Sequence, residues 1–231
     1  MSDTLPSQGA ASPIKASHLA LTPELFAPAE AIAALKAEAG TLPSWDLTAR
    51  QLCDLELLMN GGFAPLQGFL NRGDYEHVLD EMRLESSALW PIPVTLDVKA
   101  DFAAGLETGR RIALRDPENV ILAILEVQSI WQPDKTREAK RVFGADDKAH
   151  PAVRYLHDKA GTHYIGGKII GLQAPNHYDF REIRQTPNEL KALYKQWGWE
   201  KIVAFQTRNP LHRAHQELTL RASRQDRKSV V

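Results

Sequence analysis

Residues 186–223 carry an order of elements that few folds can use: a capped helix, a short β-branched strand, a polar loop and a second helix. Thr186 and Glu189 stand at capping-box spacing, with Pro187 at the first helical position, and the helix is predicted to run to Trp197-Gly198. Lys201-Ile202-Val203-Ala204-Phe205 is a short apolar run of the kind that forms a buried parallel strand. The polar loop is Gln206-Thr207-Arg208-Asn209-Pro210-Leu211-His212-Arg213-Ala214-His215, and a helix is expected from there to about Ser223. This order opens a nucleotide-binding α/β domain. One strand with two flanking helices cannot close such a sheet, so the domain at 185–225 is expected to be incomplete.

The preceding residues follow a different pattern. Residues 1–16 are rich in Ser, Ala and Pro and read as a disordered lead-in. Thr48 and Gln51 form a capping box before Leu52, Leu55, Leu58 and Met59 at helical spacing, and Asn60-Gly61-Gly62 ends that helix. A second helix is predicted over 73–83. Val94, Leu96 and Val98 alternate with polar residues, as in a half-buried strand. Residues 111–115 and 120–130 read as strands joined across Asp116-Pro117-Glu118-Asn119. Helices are predicted over 134–143 and 151–159, followed by a strand over 162–173 in which Gly166-Gly167 marks a bulge or bend. Together these give a compact, mostly β domain with helical insertions over 17–184.

Composition narrows the function classes. The chain has 231 residues, 43% hydrophobic and 25% charged, as in an ordinary globular protein. Its longest apolar runs are too short to span a bilayer, and no secretory signal opens it, so a cytoplasmic protein is expected. Cys53 is the single cysteine, which excludes an internal disulfide and a cysteine-cluster metal site. Net charge is only −1. Yet residues 206–225 hold four arginines against one glutamate, whereas residues 1–60 hold three basic and seven acidic residues. A local basic segment around a His-rich loop suits an anionic small molecule.

The loop offers hydrogen-bond donors and no carboxylate. It lies beyond a strand's carboxyl end and at a helix amino-terminus, the two places where phosphates bind in such folds. Asn209 before Pro210 reads as an N-cap with a first-turn proline, which does not exclude ligand contact. Arg208 reads as an anion clamp rather than a plain surface charge. His212 and His215 stand three apart. A zinc site would need further ligands, and no neighbouring glutamate or cysteine pair supplies them, so phosphate contact is the better reading and no zinc is expected.

Residues 206–215 resemble the signature of the ATP sulfurylases (sulfate adenylyltransferases). Gly62-Phe63-Ala64-Pro65-Leu66-Gln67-Gly68-Phe69-Leu70 resembles that family's Gly-Phe-x-Pro-Leu-x-Gly-Phe segment, and Gly161-Thr162-His163-Tyr164-Ile165-Gly166-Gly167 resembles its pre-catalytic domain. The resemblance covers residues 17–223. Its style over 148–215, without cysteine pairs, is closer to the bacterial forms fused to an adenylyl-sulfate kinase. It implies a mixed α/β chain: a PUA-like β-rich domain, then the truncated start of a Rossmann-like nucleotidyltransferase domain. It implies the reaction of ATP with sulfate to give adenosine 5′-phosphosulfate and pyrophosphate, with Mg2+ accompanying ATP, in a homo-oligomer without nucleic-acid or membrane partners. On that resemblance Thr207, Arg208 and Asn209 are catalytic, and Gln206 and Arg208 bind sulfate. Gln206, Asn209, His212 and His215 hold ATP, so the site works by positioning and electrostatics.

The family's later elements do not follow in this sequence, so the polypeptide alone is expected to be inactive. Residues 226–231 match nothing in the family. One reverse translation of them spells a common sequencing adapter running into a stop codon, and a non-native tail is expected there. Two rival readings are another adenylyltransferase of the superfamily and a PUA-like RNA-binding module. The first lacks the Gln-Thr-Arg-Asn run, and the second calls for a basic stripe with interleaved aromatics that residues 17–184 do not show.

Overall fold

The computed structural model describes residues 20–199, 202–226 and 229–230. Two units are distinct: Thr22–Thr186, and a second that contains Pro187–Val231.

In the first unit a six-stranded sheet forms the core. Its strands are β1 (Ser44–Asp46), β2 (Gly68–Phe69), β3 (Leu96–Val98), β4 (Arg111–Arg115), β5 (Ile121–Trp131) and β6 (His163–Gly171). The order is β1-β4-β5-β6-β2, with β3 also paired to β6; β1 runs parallel to β4, and the other pairs are antiparallel. Six helices flank it: α1 (Ala29–Ala39), α2 (Ala49–Met59), α3 (Arg72–Glu81), α4 (Ala100–Ala104), α5 (Lys135–Phe143) and α6 (Pro151–Asp158). Side chains alternate across the central strands. Ile112, Leu114 and Leu125 enter the main core with Leu55, Leu58 and Tyr75, whereas Ala113 and Ile124 meet Ile32, Leu35 and Ala39 of α1. Both faces of β4 and β5 are therefore covered, which accounts for their nearly continuous apolar sequences.

Local chemistry sets the boundaries. The Thr48 side chain accepts from the Gln51 amide, and Gln51 returns the bond to the Thr48 amide at 3.0 Å, completing the capping box of α2. Asn71 caps α3 through the Asp74 amide, and Asp134 caps α5 through the Thr136 and Arg137 amides. Between β4 and β5, Asp116 Oδ1 accepts from the amides of Glu118 and Val120, and Asn119 takes φ 68°.

Two expectations need correction. The stretch around β3 is buried on both sides rather than half-buried: Asp97 is 5% and Thr95 7% exposed. Asp97 tolerates this because its carboxylate accepts from Arg50, from Gln51 Nε2 (2.8 Å) and from the Gly161 amide (2.6 Å). The bulge lies in β5 between Val127 and Ser129, not at Gly166-Gly167 of the facing strand. A Cβ on Gly167 would sit 2.0 Å from the Glu126 carbonyl oxygen, and one on Gly166 2.1 Å from that of Leu70. These glycines serve close backbone approach.

The second unit contains α7 (Pro187–Gln196), β7 (Ile202–Val203), α8 (Arg213–Asp226) and β8 (Ser229–Val230). β7 and β8 pair in parallel, Ile202 opposite Ser229 and Val203 opposite Val230, so part of the expected foreign tail lies in a strand pair. β7 is shorter than the five residues predicted and only half-buried. A buried parallel strand needs neighbours on both edges and layers on both faces. Among the described residues of this unit the sheet has just β7 and β8.

Candidate functional site

The loop after β7 contains every residue that the sequence marks as a site. Gln206, Thr207, Arg208, Asn209 and His212 are exposed and His215 is half-buried. Thr207 and Asn209 form a tight local turn: the Asn209 amide donates to Thr207 Oγ1 at 3.1 Å, and the Thr207 hydroxyl donates to the Asn209 carbonyl at 3.0 Å. This turn overturns the expected cap. Asn209 is held by Thr207, Pro210 precedes the helix by three residues, and α8 begins at Arg213. The His212 carbonyl accepts from the amides of His215 (2.9 Å) and Gln216 (3.1 Å), while the His212 amide donates to His215 Nδ1 at 3.3 Å. His215 thus occupies the place that glutamate holds in a capping box.

The structure brings His212 and His215 together, with ring centroids 5.5 Å apart and Phe205 5.5 Å from His215. It also brings Thr207 to Asn209. A cleft of about 480 Å3 lies beside Thr207, lined further by Phe205, Leu211, Gln216 and Leu220. Arg208, Asn209, His212 and His215 do not line that cleft, and Arg208 is turned to no acidic partner among the described residues. Donors remain uncommitted among the described residues: the exposed guanidinium, the His212 imidazole and a helix amino-terminus with no acidic residue in its first turn, while His215 Nδ1 is engaged by the His212 amide. No group of three or more His, Cys, Asp or Glu suited to a metal ion occurs among the described residues.

Residues 15–174 match the PUA-like domain family profile, and residues 181–231 match that of ATP-sulfurylase. The first match covers well over half of the chain. The chain belongs to the PUA-like domain family. Beyond the PUA-like match it is similar to the sulfate adenylyltransferase of Kluyveromyces lactis, 50% identical over 195 residues, or 84% of this chain and 39% of that protein. The Emericella nidulans sulfate adenylyltransferase is 52% identical over 200 residues (85% and 35%), and that of Saccharomyces cerevisiae 47% over 196 residues (85% and 38%). The solved structure of "Hexameric APS kinase from Thiobacillus denitrificans" superposes with a TM-score of 0.73 at 34% identity, covering 90% of this chain and 37% of that one. The chain thus spans under two-fifths of the length of these relatives. No helix of the described residues is long and apolar enough to cross a membrane.

The PUA-like unit holds a second polar cluster, which nothing in the sequence flagged. Glu138 is 7% exposed, and its Oε2 accepts from the hydroxyls of Tyr75 and Tyr164, each at 2.9 Å. Burial pushes its carboxyl above the usual range, against the pull of those two hydrogen bonds and of Lys135. Burial opposes the charge of Arg50, but Asp97 and Asp54 outweigh it and raise the guanidinium above its usual value. The partners of Glu138 lie 63 and 26 positions away, so no local spacing could have announced them.

Proposed function

We propose that this chain carries the sulfate- and ATP-binding loop of a sulfate adenylyltransferase, acting in sulfate activation. In this reading a sulfate oxygen attacks the α-phosphorus of ATP. A P–O bond to sulfate forms, the bond to pyrophosphate breaks, and adenosine 5′-phosphosulfate leaves. No proton is transferred, because sulfate at neutral pH carries none. Magnesium enters as MgATP, part of the substrate, consistent with a loop that offers it no carboxylate. Two oxyanions about 4 Å apart repel by roughly 4 kcal/mol per pair of unit charges at an effective dielectric near 20. The site's task is to offset that repulsion. Gln206 and Arg208 take sulfate, Gln206, Asn209, His212 and His215 take ATP, and Thr207, Arg208 and Asn209 orient the reacting groups.

The observation that carries the reading is the loop itself: donor-rich, without a carboxylate and exposed at the start of α8, within the stretch that matches the ATP-sulfurylase profile. The relatives named sulfate adenylyltransferase support it. A cytoplasmic setting and assembly with further copies belong to the same reading. The latter draws on the neighbour described as hexameric. The test is a chimera in which the matched segment of the Saccharomyces cerevisiae relative is replaced by the corresponding residues of this chain. ATP formation from adenosine 5′-phosphosulfate and pyrophosphate is expected within about tenfold of the parent, about 1.4 kcal/mol in barrier. A folded chimera without turnover would refute the reading.

A further inference from the structure

Within the PUA-like unit a cavity of about 270 Å3 lies between α5 and α6 on one side and the stretch around β3 on the other. Its walls are largely apolar, with Ile92, Pro93, Val142, Phe143 and Leu156 among them. Its polar lining is formed by Arg50, Thr95, Asp97, Glu138, Tyr155 and Tyr164. The hydrogen bonding there is uneven. Arg50 is committed to Asp54, to Asp97 and to the Thr95 carbonyl. Asp97 is filled by Arg50, Gln51 and Gly161. Nearby Lys135 donates to the Ala160 carbonyl at 2.8 Å. By contrast, both tyrosine hydroxyls reach the same oxygen of Glu138, and its Oε1 has no partner among the described residues. The Thr95 hydroxyl has none either. Both residues are 7% exposed as a whole, yet neither oxygen is sealed from solvent, so water reaches both within the cavity and a donor-bearing ligand would replace it there.

We infer that this cavity is a binding site for a small, mainly apolar molecule that ends in N–H donors, of the aromatic amidine or amine class. A donor end would pair with Glu138 Oε1 and with Thr95 Oγ1, while a flat ring would lie against Phe143 and Leu156. A cationic donor would also compensate the buried carboxylate, whose charged form burial disfavours. An anion would meet the carboxylates of Glu138 and Asp97, and the Arg50 guanidinium is already held by Asp54, Asp97 and the Thr95 carbonyl. The site is independent of the loop at 206–215 and does not rest on its assignment.

Benzamidine, benzoate and toluene, titrated separately into the 231-residue chain and followed by NMR, test the inference. Benzamidine is expected to saturate with shifts at residues lining the cavity, and benzoate is not expected to bind. Toluene should bind more weakly, since it fills the walls without pairing Glu138. Glu138→Gln keeps an acceptor for the two tyrosines and should weaken benzamidine about tenfold or more through loss of a charge-assisted bond. Thr95→Val should weaken it roughly threefold. Ala152→Leu, which narrows the cavity without touching its polar residues, should block it should either polar variant fail to fold. Absence of saturable benzamidine binding, equal binding of benzoate or toluene, or unchanged affinity in all three folded variants would overturn the inference.

Discussion

The PUA-like unit and the segment around α8 treat polar groups in opposite ways. In the first, the charged side chains near the core are tied down: Asp97 is filled by three donors, Arg50 by three acceptors, and Glu138 is anchored by two tyrosines. In the second, Gln206, Arg208 and His212 stand exposed, with Arg208 facing no carboxylate among the described residues. Leu211, Leu218 and Leu220 beside them are 66%, 57% and 40% exposed. A buried charge must be satisfied within the fold or it destabilises it. An exposed donor costs the fold little and remains available to a ligand. The first unit thus ties its polar groups into the fold, and the second leaves its donors open.

The largest expected effect breaks this contrast on the stability side. Leu125 is fully buried between Ile112 and Ile169 on neighbouring strands. Leu125→Ala is expected to cost about 2–5 kcal/mol, read as a lower urea midpoint. A smaller, pH-dependent effect belongs to Glu138. Its folded carboxyl lies above the unfolded value, so the folded state holds the proton more tightly. That contribution is fully present below about pH 4.3, the ordinary glutamate value, and is lost as pH rises through the folded pKa. Glu138→Gln removes the titration, so the stability of the wild type relative to the variant should fall as pH rises from about 4.3; denaturation at a series of pH values checks this. The smallest effect lies in the loop: Leu211→Ala should change stability by no more than about 0.5 kcal/mol. A large loss there would mean that the loop is a packed element and not an open ligand surface.

The sequence exposes this contrast unevenly. Signals carried by neighbours in the chain are legible: the Thr48–Gln51 box, the Asp116–Asn119 turn and the start of α5 at Asp134 all depend on residues within a few positions. The glycine pair 166–167 was legible as a special position but not as to cause, because its steric demand comes from Glu126 on β5 and from Leu70 just after β2. Asn209-Pro210 has the composition of a helix start, yet the Thr207 hydroxyl captures Asn209 and α8 begins later. The donor loop could be read because its chemistry is contiguous. The Glu138 cluster could not, because Tyr75, Tyr164 and Thr95 are assembled only by the fold.

The most direct test of the proposed role of the donor loop in binding anions is Arg208→Ala in the active chimera. The account predicts a fall in kcat of about 100- to 1000-fold, as for removal of a charge-stabilising donor, with the unfolding midpoint unchanged. Turnover within threefold of the unmutated chimera would contradict it.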